Sequence, residues 1–257
     1  MTNSCGQCDQ CAAGWTINCT GEVEMYGVGA SDQGSFSTGA IHREAFLVRI
    51  PEDISSAAAA PLMCGGITVW SALVLSGDVK PADVVGVIGI GGLGHLAIQF
   101  ARAMGCTVVA FSTSKDKEEE ARKLGAKYFF TTEELKEPNL PVKVNQLVIT
   151  TSRLPDWDLF VPILAPRSTI YPQSVTSFEE KLNIPHMVFL VNGHRIVYAT
   201  GGPILAFRQM LDFAVLHNIA PVVEKFPLTR QGIEDSLKKL ESGRMRYRGV
   251  LYADEQK

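Results

Sequence analysis

The sequence lacks a marked excess of either charge. Its 257 residues carry 24 basic and 27 acidic side chains, for a formal net charge of −3. This balance gives no electrostatic reason for binding to nucleic acid or to an anionic membrane, because both attract strongly basic surfaces. We therefore expect neither a nucleic-acid nor a membrane partner.

Long uninterrupted apolar runs are also scarce. The longest apolar stretch, at 57–75, contains Pro61, Gly65 and Gly66. It is therefore predicted to form a buried turn and helix rather than a membrane span. The polar, cysteine-rich start differs from the apolar core of a secretory signal. We expect a cytoplasmic protein, and a chain of this length can bury the core of one or two domains.

Cysteine is infrequent, yet four of the six fall within the first nineteen residues. Cys5, Cys8, Cys11 and Cys19 have two, two and seven residues between them. This spacing predicts one tetrahedral structural zinc ion, because disulfides are rare in a cytosolic α/β protein. Disulfides or loose thiols are the alternatives; the long last gap and Thr20 disfavour an iron–sulfur cluster. Four ligands close the coordination shell, so this zinc would fold a loop and leave no position for substrate.

Beyond residue 60, apolar strands alternate with amphipathic helices. The continuous apolar run Val84–Ile90 is typical of a buried parallel strand, and helical spacing follows from Leu93 to Met104. Further strands are predicted at 107–111, 146–151, 168–171, 195–200 and 248–252, and helices at 115–124, 204–217 and 228–242. This order predicts an α/β fold with a doubly wound parallel sheet.

Residues 1–60 show a different pattern. Glycine, serine and short alternating runs predict a β-rich segment around the zinc loop, with a strand at Glu44–Ile50 that Pro51 and Glu52 close.

A glycine-rich turn joins the first apolar strand to the first helix. Its G-x-G-x-x-G pattern indicates dinucleotide binding when it stands between strand and helix. Gly89 permits the tight turn, Gly91 lets backbone approach a diphosphate, and Gly94 lets helix and strand pack closely. The helix start offers N–H groups and a positive dipole end to phosphates. A turn without ligand is the alternative. The predicted cofactor contacts here are Gly89, Gly91, Gly92, Leu93 and Gly94.

The end of the second strand bears on the choice of dinucleotide. A carboxylate there would accept hydrogen bonds from the ribose 2′-OH and repel a 2′-phosphate. This chain instead has Ser112, Thr113, Ser114 and Lys115, and the first acid is Asp116. Hydroxyls and an ammonium favour NADP(H) over NAD(H). The alternative is a serine-rich turn that caps the next helix.

Together these features resemble the zinc-dependent medium-chain alcohol dehydrogenases, on the cinnamyl-alcohol-dehydrogenase-like branch. The resemblance runs from Cys5 to about Leu251 and rests on the cysteine loop and three segments, 60–70, 86–95 and 246–250. It implies that Cys64 is a catalytic zinc ligand, that Thr68 lies near the cofactor, and that Arg248 reaches the cofactor phosphates.

The resemblance also implies a domain organisation and a reaction. It predicts an incomplete GroES-like catalytic domain from 1–64 and 203–257, a Rossmann domain at 65–202, and a homodimer. The implied chemistry is reversible hydride transfer between NADP(H) and an alcohol–aldehyde pair, in which a catalytic zinc acts as a Lewis acid.

The sequence departs from this family at its start. The family takes further catalytic zinc ligands from before the cysteine loop, whereas only Met-Thr-Asn-Ser precedes Cys5 here. The five histidines form no spaced pair with a cysteine or carboxylate. We therefore expect NADPH binding with little zinc-dependent dehydrogenase activity. The alternatives are a non-catalytic NADPH-binding pseudoenzyme and a zinc-independent NADPH quinone or enone reductase, although the latter needs neither the cysteine loop nor Cys64.

Overall fold

A computed structural model describes residues 3–26, 29–30, 34–37, 39–177 and 179–253. The chain divides into two compact units. We call Thr68–Thr200 the sheet unit, and Met1–Ile67 together with Gly201–Lys257 the split unit. The domain boundaries given above stay a prediction.

The strands, in chain order, are β1 Asn3–Ser4, β2 Val23–Tyr26, β3 Gly29–Ala30, β4 Val84–Ile88, β5 Thr107–Ser112, β6 Tyr128–Thr131, β7 Val144–Ile149, β8 Leu164–Pro172, β9 Arg195–Ile196, β10 Val223–Pro227 and β11 Arg248–Tyr252. The α-helices are α1 Asp9–Ala12, α2 Ser56–Pro61, α3 Ile67–Trp70, α4 Gly94–Ala103, α5 Glu118–Leu124, α6 Trp157–Phe160, α7 His186–Asn192, α8 Ile204–Leu216 and α9 Arg230–Glu241. Short 3₁₀ turns occur at Thr16–Asn18, Glu44–Phe46, Lys115–Lys117, Glu134–Lys136 and Val161–Ile163, and π-helical turns at Leu62–Gly66 and Ser71–Leu75.

The sheet unit is built on six parallel strands in the order β6-β5-β4-β7-β8-β9. The chain starts in the middle at β4, moves outward through β5 and β6, then returns to β7 and moves outward on the other side. This confirms the doubly wound prediction. In such sheets the topological switch point, here between β4 and β7, is where ligands bind at the carboxyl ends of the strands.

The buried side chains of these strands explain the sheet. Val85 and Val87 of β4 are fully buried, as the apolar run predicts. At Gly86 a Cβ would come within about 3 Å of the side chains of Leu147 and Phe111. The absence of a side chain at Gly86 therefore lets these two side chains pack directly against the central strand. Phe111 contacts Phe160 edge to face at 5.5 Å.

Several predicted element bounds differ from the observed ones. The strand at 44–50 is wrong, because Glu44–Phe46 forms a 3₁₀ turn and Leu47 is exposed. Its alternating side chains indicate a strand, but strand geometry also needs a neighbour to complete the backbone hydrogen bonds, and no described strand pairs with this segment. Strands β6 and β10 and helices α6 and α7 were not predicted, and the strand predicted at 195–200 is observed only at Arg195–Ile196.

A helical segment of 20 residues, Ser56–Leu75, joins the two units in sequence. An 18-residue window of this segment has a mean hydropathy of 1.7, so it is long and apolar enough to cross a membrane, yet 61% of that window is buried inside the fold. Core helices pass the same test, so this is weak evidence for a membrane span, and the absence of a membrane partner stays a prediction.

Candidate functional site

The glycine turn follows β4 directly. Gly89 has φ +88°, a conformation that glycine adopts without steric cost, and its N–H donates to the carbonyl of Phe111 at 2.9 Å. A Cβ on Gly94, the first residue of α4, would lie 1.9 Å from the carbonyl oxygen of Gly89. The Thr150 hydroxyl lies 2.9 Å from the carbonyl oxygens of both Ile88 and Gly89. The turn is therefore fixed from both sides.

The turn leaves space above Gly91. A Cβ on this residue would meet no atom within 4 Å. The buried ring of His95 holds the turn, since its Nδ1 lies 2.8 Å from the Gly91 carbonyl oxygen. Gly92 and Leu93 complete the turn before α4, a ten-residue helix whose N–H groups can receive an anion.

A cavity of about 580 Å³ opens beside this turn, at the carboxyl ends of β4, β5 and β7. One part of its wall is apolar, with two phenylalanines, and another part carries hydroxyls, two cations and one carboxylate. The lining residues include Ile88, Gly89, Ile90, Gly91, Phe111, Ser112, Thr113, Lys117, Thr132, Thr150, Thr151, Ser152, Arg153, Leu154, Asp156 and Phe160. This is the wall composition that an adenine ring, a ribose and phosphates require.

The structure separates the four residues that were predicted to cradle a 2′-phosphate. Ser112 and Thr113 line the cavity. The Ser114 hydroxyl donates to the Asp116 carboxylate instead, and Lys115 forms an ion pair with Glu134 at 3.2 Å.

Glu134 belongs to a local cluster at the end of β6. The backbone N–H and the hydroxyl of Thr131, followed by Lys115, lower the pKa of the Glu134 carboxyl. Lys115 therefore pairs with an exposed carboxylate and is not among the residues that line the cavity.

Lys117 takes the wall position that sequence reasoning gave to Lys115. Its ammonium lines the cavity and donates to the Ile90 carbonyl at 3.1 Å. Sequence reasoning also missed Thr150 and Arg153 after β7. The available signal was topological: β7 neighbours β4, so its carboxyl end has to face the same crevice.

Four thiols form the second candidate site, in the split unit. The sulfur atoms of Cys5, Cys8, Cys11 and Cys19 all lie within 4.8 Å of one another, with 4.0 Å between Cys5 and Cys11 and 3.9 Å between Cys8 and Cys19. A tetrahedral zinc with bonds of about 2.3 Å separates its sulfur ligands by about 3.8 Å. All are free cysteines. The donor set and its spacing therefore fit structural zinc.

Backbone hydrogen bonds favour thiolates in this cluster. The N–H groups of Cys11 and Thr20 lower the pKa of Cys8 to about 5, and those of Gln7 and Cys8 lower the pKa of Cys5. For Cys19 the N–H of Cys5 lowers the pKa, but burial and the neighbouring sulfur atoms outweigh it and raise the value to about 11. The raised pKa of Cys19 means that a further thiolate in this cluster is unfavourable without a cation, so binding of a metal ion would have to displace the Cys19 proton.

The remaining predicted site residues lie elsewhere. Cys64 is exposed in the π-helical turn of the split unit, and among the described residues it belongs to no group of three metal-ligating side chains. Cys64 and its described surroundings therefore do not fit a catalytic zinc. Thr68 is half-buried in α3 of the sheet unit. Arg248 lies on β11 of the split unit, so its contact with cofactor phosphates stays a prediction.

This chain is similar to known dehydrogenases and reductases. A family described as zinc-binding dehydrogenase matches residues 92–215. Aldehyde reductase AdhA of Synechocystis sp. is 38% identical over 251 residues, covering 96% of this chain and 71% of that protein. A cinnamyl alcohol dehydrogenase from Sorghum bicolor superposes with a TM-score of 0.86 at 29% identity, covering 97% of this chain and 72% of that one. CAD from Helicobacter pylori, complexed with NADP(H), gives 0.85 at 26% identity, with the same two coverages.

Proposed function

This chain belongs to the zinc-binding dehydrogenases, and we propose that it carries out reversible hydride transfer between NADP(H) and an alcohol–aldehyde pair. The fold, the glycine turn and the adjoining cavity support a nicotinamide dinucleotide as cofactor. When bound, the nicotinamide carries the hydride. The aldehyde reductase and cinnamyl alcohol dehydrogenases to which the chain is similar support a small alcohol or aldehyde as substrate.

The cavity wall at the end of β5 carries the NADP(H) assignment. Ser112, Thr113 and Lys117 line it there, and none of these side chains is a carboxylate. A carboxylate in this place would bind the ribose 2′-OH and exclude a 2′-phosphate. Hydroxyls and an ammonium supply hydrogen bonds and charge to a phosphate instead.

Titration with both cofactors tests this assignment. We expect the protein to bind NADPH at least about tenfold more tightly than NADH, because the 2′-phosphate gains charge-assisted hydrogen bonds. Fluorescence of the bound dihydronicotinamide gives both dissociation constants in the same buffer. Tighter binding of NADH would overturn the assignment.

We also propose that the cysteine cluster holds one structural zinc ion. Its four sulfur atoms would complete the coordination shell and brace residues 5–19, and they would take no part in hydride transfer. Metal analysis of purified protein should give about one zinc per chain, all of it lost in Cys8→Ser. A disulfide between any two of these cysteines, detected by mass spectrometry, would contradict the proposal.

Non-catalytic NADPH binding is a second candidate function, and one observation favours it. Cys64 is not part of a three-ligand group in the described part of the chain, and a catalytic zinc needs three protein ligands and an open position. An assay with aldehyde, NADPH and added zinc separates the two functions. Sustained oxidation of NADPH supports the dehydrogenase, whereas binding without turnover supports the non-catalytic role.

We further propose a cytoplasmic homodimer. Strand β9 lies at one edge of the six-stranded sheet, and the neighbouring helix α7 exposes Met187, Leu190 and Val191. Exposed apolar side chains beside an open sheet edge are typical of an association surface. Sedimentation should give a dimer, and Leu190→Glu should give a monomer. The exposed Leu216→Glu change on α8 serves as the control.

A further inference from the structure

Arg153 lies on the cavity wall, on the side that follows β7. It is exposed, and in the described part of the chain its side chain forms neither an ion pair nor a hydrogen bond. Its backbone carbonyl accepts a hydrogen bond from the Thr151 hydroxyl at 2.6 Å, which fixes the turn that follows β7. The backbone of Arg153 is thus fixed at the cavity, and its guanidinium has no partner among the described residues.

The strand order puts Arg153 and Lys117 on opposite sides of the glycine turn. Lys117 follows β5, Arg153 follows β7, and the two strands flank β4. Adjacent strands are about 4.8 Å apart, so the two strands are separated by about 10 Å. Two long cationic side chains that start at this separation can converge on one anion between them.

The other charged groups near the cavity are already engaged. The carboxylate of Asp156 accepts a hydrogen bond from the backbone N–H of Asp158 at 3.0 Å and caps α6. Lys115 is paired with Glu134. A phosphate monoester carries a charge of about −1.5 to −2 near pH 7, more than one lysine neutralises. A guanidinium can bind such a phosphate through two parallel hydrogen bonds.

We propose that Arg153 is a specificity-determining residue that binds the 2′-phosphate of the cofactor from the wall opposite Lys117. This inference rests on the proposed use of NADP(H). The diphosphate already has the glycine turn and the start of α4, which supply backbone N–H groups without a guanidinium. The charge that remains to be balanced is the 2′-phosphate.

The test uses two ligands that differ only in that phosphate. Calorimetry measures the binding of adenosine 2′,5′-bisphosphate and of adenosine 5′-monophosphate to the full chain and to Arg153→Gln. We expect the variant to bind the bisphosphate about tenfold or more weakly and the monophosphate with unchanged affinity, because a charge-assisted hydrogen bond is lost only in the first case. Arg153→Lys should recover part of the loss. Arg230→Gln, an exposed arginine on α9 of the split unit, removes the same charge and should change neither affinity.

Each other outcome overturns the proposal. Equal weakening for both ligands would assign Arg153 to the adenine or to the 5′-phosphate. If Arg153→Gln binds both ligands with the affinities of the original chain, Arg153 binds neither phosphate. If the original chain binds both ligands equally well, it has no site for a 2′-phosphate. The proposed function fails separately, if neither NADPH nor NADH binds.

Discussion

The sheet unit and the cysteine-rich start of the split unit differ in what can stabilise them. In the sheet unit, six parallel strands bury a continuous apolar cluster that includes Phe111, Leu147 and Phe160. In the split unit, β1 and β3 are two residues long, and residues 5–19 surround four thiols. The sheet unit can therefore rely on apolar burial, whereas the cysteine lobe, residues 3–26, would rely on the proposed zinc ion. Loss of the metal and loss of core packing should then affect different units.

The largest expected effect comes from removing the metal. Zinc binding by small zinc peptides supplies about 10–16 kcal/mol, which is also their folding free energy. Chelation or Cys8→Ser should abolish hydrogen-exchange protection in 3–26 and leave that of β4, β5 and β7 unchanged. Hydrogen exchange followed by mass spectrometry resolves the two regions.

Cys64→Ser is the matched control for the cysteine change. It removes an exposed thiol outside the cluster, so zinc content and protection should stay as they are. If hydrogen-exchange protection persists in 3–26 after all zinc has been removed, the lobe is stable without the metal and the prediction is wrong.

The next largest effect should come from the core of the sheet unit. Phe160 is 2% exposed and packs edge to face on Phe111. Phe160→Ala should cost about 3–5 kcal/mol, because it removes buried apolar surface and leaves a cavity. Leu240→Ala on α9, where the side chain is 59% exposed, should change stability by about 0.5 kcal/mol or less. Urea unfolding measures both, and similar losses would show that burial of Phe160 contributes no more to stability than an exposed leucine does.

The sequence predicts the first strand and the first long helix of the sheet unit well because their signals are local, although it misses β6 and α7 of the same unit. The apolar run at 84–90 and the helical spacing at 93–104 correspond to β4 and α4, since burial on both faces requires these patterns. The bounds differ by one or two residues because Gly89 turns the chain. The glycine turn itself is a local feature and needs no distant partner.

Elements that depend on a distant partner were predicted less well. In residues 44–50 apolar and polar side chains alternate as they do in a strand, but no described strand pairs with this segment. Strand β10 has no strong apolar pattern, and it exists because β11 pairs with it along five residues. Sequence reasoning assigned the phosphate to Lys115 and did not consider Lys117. Glu134, nineteen positions later, decides between them because it engages Lys115.

Two glycines of the turn should separate stability from binding. Gly94→Ala would place a Cβ 1.9 Å from the Gly89 carbonyl oxygen, so the turn has to shift, at a cost of about 1–3 kcal/mol, and NADPH binding should be lost as well. At Gly91 a Cβ meets no atom within 4 Å. Gly91→Ala should therefore keep its stability but bind NADPH more weakly, since the new methyl group occupies the path of the diphosphate. Thermal unfolding and cofactor titration of both variants check this, and full NADPH affinity in Gly91→Ala would place the diphosphate elsewhere.

The smallest expected effect compares two neighbouring lysines. Lys117→Gln should weaken NADPH binding about tenfold and NADH binding by about twofold or less, because a charge-assisted hydrogen bond to the 2′-phosphate is lost. Lys115→Gln should change both affinities by about twofold or less, because it removes only an exposed ion pair with Glu134. The two variants carry the same charge change within three residues, so a general electrostatic effect would weaken NADPH equally in both. Only a difference between them assigns the phosphate to the cavity wall on which Lys117 lies.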